Sequence, residues 1–399
     1  MKYVIILADG MAGETRQDLL GKTTLEAADT PMMDELAKDS EIGMVCMVPD
    51  HMDPGSDVAN LSVLGYDPNI YYTGRSSLEA LSLGVHLKKD EMSVRVNLVT
   101  LSKEEKCYEK KKMLDHSAGE IDTQDASVLI AYLKEKLGTD AYTFYEGTGY
   151  RHLLVCKKKI NSHLIPPHDI LLKEIGECLP KDPTLRKMME RSWELFKHHP
   201  LNEKRRENGE NTADSIWFWG KGTCPKLDSF YKKTGKKAAM ISAVDLLKGI
   251  AIGTNMRIIN VEGANAGLNT NYIGKAKAAL KALDEGDDLV YIHIEAPDEM
   301  GHQGLVKEKM QAIERIDHEI VKTIVFGLRK RKGPFRILIL PDHPTPVSKR
   351  THTKSPVPYL LYKSDQKQSG QLKYNEKTAQ AGGLFIEKGY TLIERLLRE

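Results

Sequence analysis

The segment YVIILADG, residues 3–10, decides the fold of this chain. Its first six residues form an unbroken apolar run that includes β-branched side chains, and the run stops at Asp9-Gly10. A short run of this kind is typical of a central parallel strand that is buried on both faces. Asp9 then follows the strand at the carboxyl edge of the sheet, where ligands bind in α/β proteins.

The same alternation of strands and helices returns in the C-terminal part of the chain. Strand–helix alternation predicts a mostly parallel sheet that helices cover on both sides. The predicted elements are a helical face over residues 25–37, strands over 288–294, 335–340 and 357–362, a helix carrying Met310, Ile313, Ile316, Ile320 and Ile324, and a closing helix over 379–397.

The middle of the chain has a different pattern. Residues 92–101 and 142–157 are typical of extended segments, and residues 123–137 have the periodicity of one amphipathic helix. We therefore predict a smaller α+β domain inserted into the α/β domain. The predicted boundaries are 1–88 with 181–399 for the α/β domain and 89–180 for the insert.

Composition excludes several classes of partner. Lys and Arg number 58 against 56 Asp and Glu, so the net charge of +2 predicts no nucleic-acid partner. The 5 cysteines are scattered without CxxC spacing, which indicates free thiols in a reducing compartment. The chain has no signal-peptide pattern, and no run approaches the roughly 20 apolar residues of a membrane helix. We expect a soluble, cytoplasmic protein without a membrane partner, whose oligomeric state the sequence does not indicate.

Acidic and imidazole residues follow the predicted strands. Asp298 and His302 come after strand 288–294 in an Asp-x3-His spacing, which places both side chains on one face of a helical turn. Parallel strands present their carboxyl ends at one edge, so we expect these residues to converge. The full set is Asp9, Asp298, His302, Asp342, His343 and His352.

This set predicts a site for two metal ions. Mixed carboxylate and imidazole ligation suits Zn²⁺ or Mn²⁺. Six protein ligands are too many for one catalytic ion with an open position, but they suit two ions about 4 Å apart that clamp both oxygens of a phosphoryl displacement. Each residue alone is ordinary as a solvated or capping residue, so the prediction depends on the whole set.

Ser56 is the candidate nucleophile. It lies in DPGSDVANL, residues 53–61, which is typical of a turn that opens onto a helix with Ser56 at or near the N-cap. A serine there can serve only as a cap. The same position also offers a phosphate the positive end of the helix, and a bound metal would lower the pKa of the hydroxyl. Spacing alone does not separate these two interpretations.

Several motifs together carry a resemblance to one family. With them, essentially the whole chain resembles the archaeal-type cofactor-independent phosphoglycerate mutases of the alkaline phosphatase superfamily. The motifs are Pro54-Gly55-Ser56-Asp57, Leu64-Gly65-Tyr66-Asp67-Pro68, Tyr72-Thr73-Gly74-Arg75, His199-Pro200-Leu201-Asn202-Glu203, Asn269-Thr270-Asn271, Asp298-x3-His302, Asp342-His343, His352-Thr353 and Pro356-Val357-Pro358.

The resemblance implies a fold, an activity and a ligand set. The fold would be an alkaline-phosphatase-like three-layer α/β sandwich with an inserted α+β cap that binds substrate. The activity would be that of an isomerase in glycolysis, which interconverts 3-phosphoglycerate and 2-phosphoglycerate without 2,3-bisphosphoglycerate, through a phosphoserine at Ser56. The implied ligands are Asp9, Ser56, Asp342 and His343 for one divalent ion and Asp298, His302 and His352 for the other, with Mn²⁺ expected first and Zn²⁺, Co²⁺ or Mg²⁺ as substitutes.

Candidate substrate-binding residues also come from the resemblance. Arg95 and Arg151 match positions where the family carries arginines, and a guanidinium suits a carboxylate or phosphate. The alternative for each is a solvated surface arginine. Lys248 is a further candidate for neutralising phosphate, and Asp115 is a candidate anion.

One segment departs from the family pattern. The chain has Asp115-His116-Ser117-Ala118-Gly119 where archaeal mutases tend to have Asp-Arg-Arg-Ala-Gly. The loss of two cationic side chains keeps a rival open, a kinase-like phosphotransferase that acts on homoserine, with Asp115 or Glu146 facing the ammonium group. A metal-dependent phosphatase is the other alternative, because water reaching the phosphoserine would hydrolyse it.

Overall fold

The computed structural model describes residues 1–366 and 368–398, and the chain forms two compact units. Unit 1 comprises Met1–Tyr72 and Lys226–Glu399, and unit 2 comprises Thr73–Pro225. No helix among the described residues is both long and apolar enough to span a membrane. All five cysteines are free thiols, as the sequence predicts.

The strands of the two units follow one another along the chain. They are β1 (Lys2–Ala8), β2 (Ser40–Val45), β3 (Met92–Leu101), β4 (Met113–Asp115), β5 (Tyr142–Tyr145), β6 (Arg151–Cys156), β7 (Ser215–Thr223), β8 (Ala238–Ile241), β9 (Arg257–Ile258), β10 (Leu289–Ile294), β11 (Phe335–Leu340), β12 (Val357–Lys363) and β13 (Phe385–Ile386).

The helices complete the secondary structure. The α-helices are α1 (Thr24–Ala27), α2 (Pro31–Ala37), α3 (Ser56–Val63), α4 (Pro68–Tyr71), α5 (Arg75–Ser82), α6 (Thr123–Leu137), α7 (Pro183–Phe196), α8 (Pro200–Glu207), α9 (Phe230–Thr234), α10 (Asp245–Gly253), α11 (Tyr272–Asp284), α12 (Ala296–Gln303), α13 (Val306–Arg315), α14 (Lys322–Arg329), α15 (Glu376–Ala381) and α16 (Leu392–Leu397). A π-helical turn, Ile316–Val321, joins α13 to α14, and short 3₁₀ turns are Gln17–Leu19, Tyr108–Lys110, Pro167–Ile170, Gly176–Cys178 and Gly389–Thr391.

The sheet of unit 1 is built around β1. Its strand order is β13-β2-β12-β11-β1-β10-β8-β9 within the described residues. β1 pairs in parallel with β10 on one side and β11 on the other, and its residues 3–8 are fully buried. β12 is antiparallel to both β11 and β2. The prediction of a central strand in a mostly parallel sheet is therefore confirmed.

Helices pack on both faces of this sheet. Val4 and Ile6 of β1 belong to a core that includes apolar side chains of α2, α11, α13 and α14. On the opposite face, the Tyr291 hydroxyl of β10 donates to Asn60 of α3, and the Arg336 guanidinium of β11 donates to the Leu396 carbonyl of α16. This three-layer arrangement of helices, sheet and helices confirms the predicted fold class.

Two predicted helices of unit 1 are wrong in extent. The face over residues 25–37 is divided between α1 and α2, because Pro31 starts a new helix at its first position. The closing helix over 379–397 is interrupted after α15 by Gly382-Gly383, where Gly383 has φ +72°. The chain then adds β13 to the edge of β2 before α16 begins.

Unit 2 is an α+β structure around an antiparallel sheet. Its strand order is β4-β3-β6-β5, and β7 also pairs with β3. Apolar residues of α6 and α7 pack with this sheet in one core. Residues 142–157 form the hairpin β5–β6, so the segment predicted as extended contains a turn.

The observed unit 2 is longer than the predicted insert, 89–180. At its N-terminal side it includes α5, which contacts β3 and β7. At its C-terminal side it includes α7, α8 and β7, because β7 pairs with β3 along almost its whole length. The predicted boundaries therefore cut off elements that belong to the core of unit 2.

The two ends of unit 2 run side by side. The Thr223 amide donates to the Thr73 carbonyl at 2.8 Å. Gly74 has φ +110°, and a Cβ there would overlap the Lys221 carbonyl. Glycine is therefore required where the two ends approach each other.

Candidate metal centre

Unit 1 brings the predicted metal-site residues to the carboxyl edge of its sheet. Asp9 follows β1 directly, and Asp342 and His343 follow β11. α12 begins just after β10, and it carries Asp298 and His302 one turn apart. All of these side chains meet at one edge because β1, β10 and β11 are parallel neighbours.

Ser56 and His352 complete the set; one begins a helix and the other lies in a loop. Ser56 is the first residue of α3, after the N-cap Gly55. His352 lies in the segment between β11 and β12. The Nδ1 of His352 lies 3.1 Å from the carbonyl oxygen of Pro54, so the Ser56 loop and the His352 loop are directly connected.

Asp9, Asp342 and His343 form what we call the inner group. Single ligand atoms of these residues all lie within 4.8 Å of one another. The Nε2 of His343 is 3.4 Å from Asp342 Oδ2 and 3.7 Å from Asp9 Oδ1. Ser56 Oγ lies 3.2 Å from the same Nε2. The three side chains of the group are at most 2% exposed.

Asp298, His302 and His352 form the outer group. The carboxylate of Asp298 lies 3.2 Å from His302 Nε2 and 3.4 Å from His352 Nε2, and the two Nε2 atoms are 2.9 Å apart. The His302 side chain is 35% exposed. Asp298 and His352 also lie within 4.8 Å of His343, so the two groups are adjacent.

The three imidazoles are oriented in the same way. His302 Nδ1 lies 3.0 Å from the Arg350 carbonyl, His352 Nδ1 faces the Pro54 carbonyl, and His343 Nδ1 lies 3.3 Å from Thr345 Oγ1. A carbonyl accepts, so Nδ1 carries the proton in His302 and His352, and Nε2 is left with its lone pair when each ring is neutral. This is the arrangement that fixed partners impose on metal-ligating histidines.

The carboxylates are fixed by different donors. Asp342 Oδ1 accepts from the Gly10 amide at 3.2 Å and from the His343 amide at 2.9 Å, and Asp342 Oδ2 accepts from Asn60 Nδ2 at 3.0 Å. Asp298 Oδ1 accepts from the Thr345 hydroxyl. Asp9 Oδ2 pairs with His293 at 2.9 Å, while Asp9 Oδ1 is buried without a hydrogen-bond partner.

The two groups have opposite electrostatics. Burial, reinforced by the charges of Asp342 and Asp298, raises the pKa of Asp9 well above its usual value. Burial also lowers the pKa of His343 to about 4, so this ring is neutral. The inner group thus places two carboxylates beside a neutral imidazole.

The outer group holds protons instead. Burial opposes the charge on His302, but the hydrogen bond and charge of Asp298 raise the pKa of His302 to about 9. Burial is likewise outweighed at His352, whose pKa the Asp298 carboxylate raises. The two imidazoles in turn hold the pKa of Asp298 well below its usual range despite its burial. Protons therefore occupy the position that a metal cation would take.

These features fit divalent metal ions. Asp9 Oδ1 is an orphaned buried carboxylate oxygen, and the Nε2 atoms of His302 and His352 face each other and the Asp298 carboxylate. Carboxylate and imidazole donors together suit transition-metal dications. The residues present can hold one ion at each group.

Some supporting residues were absent from the sequence prediction. Lys309 is fully buried, and its ammonium donates at 2.7 Å to the carbonyls of Gly10 and Thr345, which tie the Asp9 turn to the partner of Asp298. Gly10 has φ +61°, and a Cβ there would lie 2.5 Å from Asp298 Oδ1. The Asp9-Gly10 turn was visible in the sequence, but Lys309 gave no signal because it lies on an amphipathic helix rich in lysine.

Comparison with known proteins identifies the family. The profile of the family described as 2,3-bisphosphoglycerate-independent phosphoglycerate mutase matches residues 37–202. A relative from Geobacter sulfurreducens, named probable 2,3-bisphosphoglycerate-independent phosphoglycerate mutase, is 46% identical over 402 residues and is covered over 100% of both chains. A mutase of the same name from Methanosarcina barkeri is 43% identical over 404 residues, again with 100% of both chains covered. The chain belongs to the 2,3-bisphosphoglycerate-independent phosphoglycerate mutase family.

Solved structures share the fold of this chain. A protein from Pyrococcus horikoshii superposes with a TM-score of 0.79 at 28% identity, covering 99% of this chain and 96% of that one. The cofactor-independent phosphoglycerate mutase from Thermoplasma acidophilum superposes with a TM-score of 0.61 at 24% identity, covering 100% and 99%, and it shares the fold. The predicted family is confirmed, and these relatives give no support to the homoserine alternative.

The substrate-binding candidates of this mutase family member lie in both units. Arg95 of unit 2 is buried rather than solvated, and it pairs with Glu79 at 2.7 Å beneath Trp219, whose ring centroid is 4.5 Å from the guanidinium carbon. Arg151 is exposed beside Tyr150. These two arginines therefore have very different surroundings.

Asp115 and Lys248 are also held by neighbours. Asp115 accepts from the Ser117 amide at 2.8 Å and the Gly119 amide at 2.6 Å, so it organises the turn that departs from the family pattern. Lys248 lies in unit 1, where it is 3.8 Å from Asp245. Since Arg95, Arg151 and Asp115 are in unit 2, neither unit by itself brings all four candidates together.

Proposed function

We propose that this chain interconverts 3-phosphoglycerate and 2-phosphoglycerate without 2,3-bisphosphoglycerate. The observation that carries the proposal is the position of Ser56 Oγ, 3.2 Å from His343 Nε2 at the inner group, in a member of the mutase family that covers the whole length of its relatives. The reaction is an isomerisation, because the phosphoryl group leaves and rejoins the same substrate. Asp9, Ser56, Asp342 and His343 would hold one ion, and Asp298, His302 and His352 the other.

The surroundings of Ser56 support its role as nucleophile. Gly55, not Ser56, is the N-cap of α3, and the Ser56 hydroxyl is directed at His343. The hydroxyl therefore faces the inner group and does not cap the helix. The positive end of the α3 dipole would also favour a phosphoryl group bound to Ser56.

The chemistry proceeds in two balanced transfers. In the first, the Ser56 hydroxyl loses its proton, Oγ forms a bond to phosphorus, and the bond between phosphorus and the substrate oxygen breaks. That oxygen keeps the electron pair and takes up a proton, which leaves glycerate and phosphoserine. In the second, the other glycerate hydroxyl attacks the phosphoserine, and Ser56 recovers its proton.

The metal ions would supply electrostatic help. When bound, they would lower the pKa of the Ser56 hydroxyl and neutralise the phosphoryl oxygens. We expect Mn²⁺ to serve best, with Zn²⁺, Co²⁺ or Mg²⁺ as substitutes, because the donors mix carboxylates with imidazoles. Metal affinity should fall in acid as the imidazoles protonate.

We assign substrate binding to the inserted unit. Unit 2 would act as a cap that binds the carboxylate end of the substrate, with Arg151 as its exposed guanidinium and Arg95 as a buried one. A closed cap would also keep water from the phosphoserine and so separate a mutase from a phosphatase. We expect the enzyme to act in glycolysis in the cytoplasm.

An enolase-coupled assay tests this function. We expect metal-reconstituted enzyme to convert 3-phosphoglycerate without 2,3-bisphosphoglycerate or nucleotide, and excess chelator to abolish turnover. Ser56→Ala should abolish transfer while the fold remains intact, and Ser62→Ala on the same helix is the control for the loss of a hydroxyl. Incubation with substrate should add one phosphate to wild type and none to Ser56→Ala, as measured by mass spectrometry of the intact chain.

Three outcomes would overturn the proposal. Turnover by Ser56→Ala at more than a small fraction of wild type would exclude the phosphoserine. Release of inorganic phosphate in place of 2-phosphoglycerate would make the enzyme a phosphatase. Nucleotide-dependent formation of homoserine phosphate, without mutase turnover, would assign the chain to the rival activity.

A further inference from the structure

His293 is a buried imidazole that the two metal groups do not contain. It lies on β10, one strand away from Asp9, and its register partner on β1 is Leu7. His293 is 1% exposed and points to the same face of the sheet as Tyr291, two residues earlier. Its ring lies between Asp9 and Ser242.

The hydrogen bonds of His293 define one direction of donation. When it ligates a metal, Asp9 is ionised and can only accept, so His293 Nε2–H donates to Asp9 Oδ2 at 2.9 Å. In the neutral ring Nδ1 is then an acceptor, and the Ser242 hydroxyl, 3.2 Å away, donates to it. Ser242 Oγ in turn accepts from the Val244 amide at 3.0 Å. In this series of hydrogen bonds, each donation determines whether the next atom donates or accepts, and the series ends on Asp9.

The backbone of His293 is also fixed. The buried ammonium of Lys275 donates to the His293 carbonyl at 2.9 Å. Ser242, His293 and Asp9 are at most 5% exposed. This arrangement has the residue types of a catalytic triad, but a serine so deeply buried cannot reach a substrate. Its role must therefore be exerted through Asp9.

Asp9 and Asp342 are held in different ways. Asp342 receives two backbone amides and the Asn60 side chain, and Asn60 is itself held by Tyr291. Asp9 Oδ2 is fixed by His293 Nε2–H. The other oxygen, Asp9 Oδ1, then faces the inner group and lies 3.7 Å from His343 Nε2. A single side-chain donor thus determines which oxygen of Asp9 faces the inner group.

We propose that His293, oriented by Ser242, is a positioning residue that turns Asp9 Oδ1 toward the inner metal ion and sets the affinity of the inner group for that ion. This inference rests on the two-metal site of the proposed function. It extends that function because it assigns a role to residues that neither contact the substrate nor ligate a metal. Loss of such an outer partner typically costs about 10–100-fold in metal affinity.

The test compares three substitutions in the full chain. His293→Met removes the donor and keeps the volume, whereas His293→Gln keeps an N–H donor of similar reach. Ser242→Ala removes the donor to Nδ1. Ser192→Ala is the matched control, because Ser192 is a fully buried serine of unit 2 that also accepts from a backbone amide, that of Ile216.

The measurement is Mn²⁺ binding to metal-free protein by calorimetry and by electron paramagnetic resonance. The variants are also placed in a His302→Ala background, which isolates binding at the inner group. We expect His293→Met to weaken inner binding about 10–100-fold, Ser242→Ala to weaken it less, and both His293→Gln and Ser192→Ala to stay within about threefold of the parent. The Mn²⁺ spectrum should change in His293→Met and not in Ser192→Ala.

The outcomes separate this inference from the proposed function. Unchanged Mn²⁺ affinity in His293→Met would overturn the inference, and so would wild type that binds no Mn²⁺. If His293→Met does not fold, equal affinities for Ser242→Ala and Ser192→Ala overturn it. Wild type that binds Mn²⁺ with the expected variant ranking but never converts 3-phosphoglycerate would overturn the proposed function and support the inference.

Discussion

The inner and outer groups of the candidate metal centre both combine carboxylates with imidazoles, but the pKa values of their imidazoles are shifted in opposite directions. The inner group is buried, its imidazole is neutral, and its Asp9 carboxylate has an oxygen without a partner. The outer group includes His302, which is 35% exposed and has a pKa raised to about 9. Protons thus occupy the outer group in the metal-free protein, whereas the inner group holds two carboxylates beside a neutral imidazole.

This difference indicates how each group would depend on a bound ion. An inner ion relieves a buried charge, so its binding stabilises the fold as well as the active site. An outer ion must displace protons, and solvent can reach its position through His302. We therefore expect the inner ion to bind tightly and exchange slowly, and the outer ion to be the one that pH controls.

Asp9→Asn should have the largest effect on the difference between the two groups. We expect kcat/KM to fall by at least about 10³-fold, because several kcal/mol of charge stabilisation depend on the inner ion. The metal-free variant should be more stable than metal-free wild type by about 1–3 kcal/mol at neutral pH, since a buried carboxylate without a full set of partners is removed.

The sign of the stability change follows from the pKa. The pKa of Asp9 is raised in the folded state, so the folded protein binds a proton more strongly than the unfolded chain does. Metal-free wild type should therefore lose stability as the pH rises above the unfolded value, and Asp9→Asn should not show this loss. Urea unfolding in chelator at pH 5 and pH 8 measures it, and a less stable variant at pH 8 would contradict the account of the inner group.

His302→Ala should disturb the outer group alone and have a smaller effect on activity. The outer ion should be lost while the inner ion remains, and kcat/KM should fall by about 10²-fold. Metal analysis after dialysis should give two ions per wild-type chain and one per variant chain. Loss of both ions would mean that the two groups bind their ions together as one unit, which would contradict the independent binding expected from their different electrostatics.

The pH dependence of metal affinity gives the smallest effect. His302 is protonated below its pKa of about 9, so outer binding at neutral pH releases a proton and should strengthen by up to about tenfold per pH unit as the pH rises toward 9. His343 has a pKa of about 4 and adds no such slope above pH 5. Mn²⁺ titrations between pH 6.5 and 8.5 measure this, and equal slopes for wild type and His302→Ala would refute it.

The sheet and the convergence of the candidate ligands could be predicted because their signals are local. The apolar run 3–8 ends at Asp9, and the acidic and histidine residues 298, 302, 342 and 343 directly follow the other parallel strands. Since parallel strands end at one edge, strand order was not needed to expect convergence. The Asp-x3-His spacing fixed the geometry of Asp298 and His302 in the same way, before any tertiary contact was known.

The residues that support the ligands could not be predicted, since their roles depend on tertiary neighbours. His293 lies inside an apolar strand, where an imidazole is typical of a satisfied core residue, and only the packing of β10 against β1 places it on Asp9. The predicted boundaries of the insert differ from the observed limits of unit 2 for a similar reason. β7 pairs with β3, more than a hundred residues earlier, and no local pattern marks that partnership.

The adjoining ends of unit 2 have a consequence for how such enzymes diversify. Thr73 and Thr223 are hydrogen-bonded neighbours, so the segment of residues 74–222 begins and ends at nearly the same position in space. A segment with this geometry can be lengthened, shortened or exchanged without changing the path of the polypeptide before and after it. If the proposed function holds, evolution can thus alter what such an enzyme recognises while the residues that would bind metal and carry the phosphoryl group are inherited unchanged.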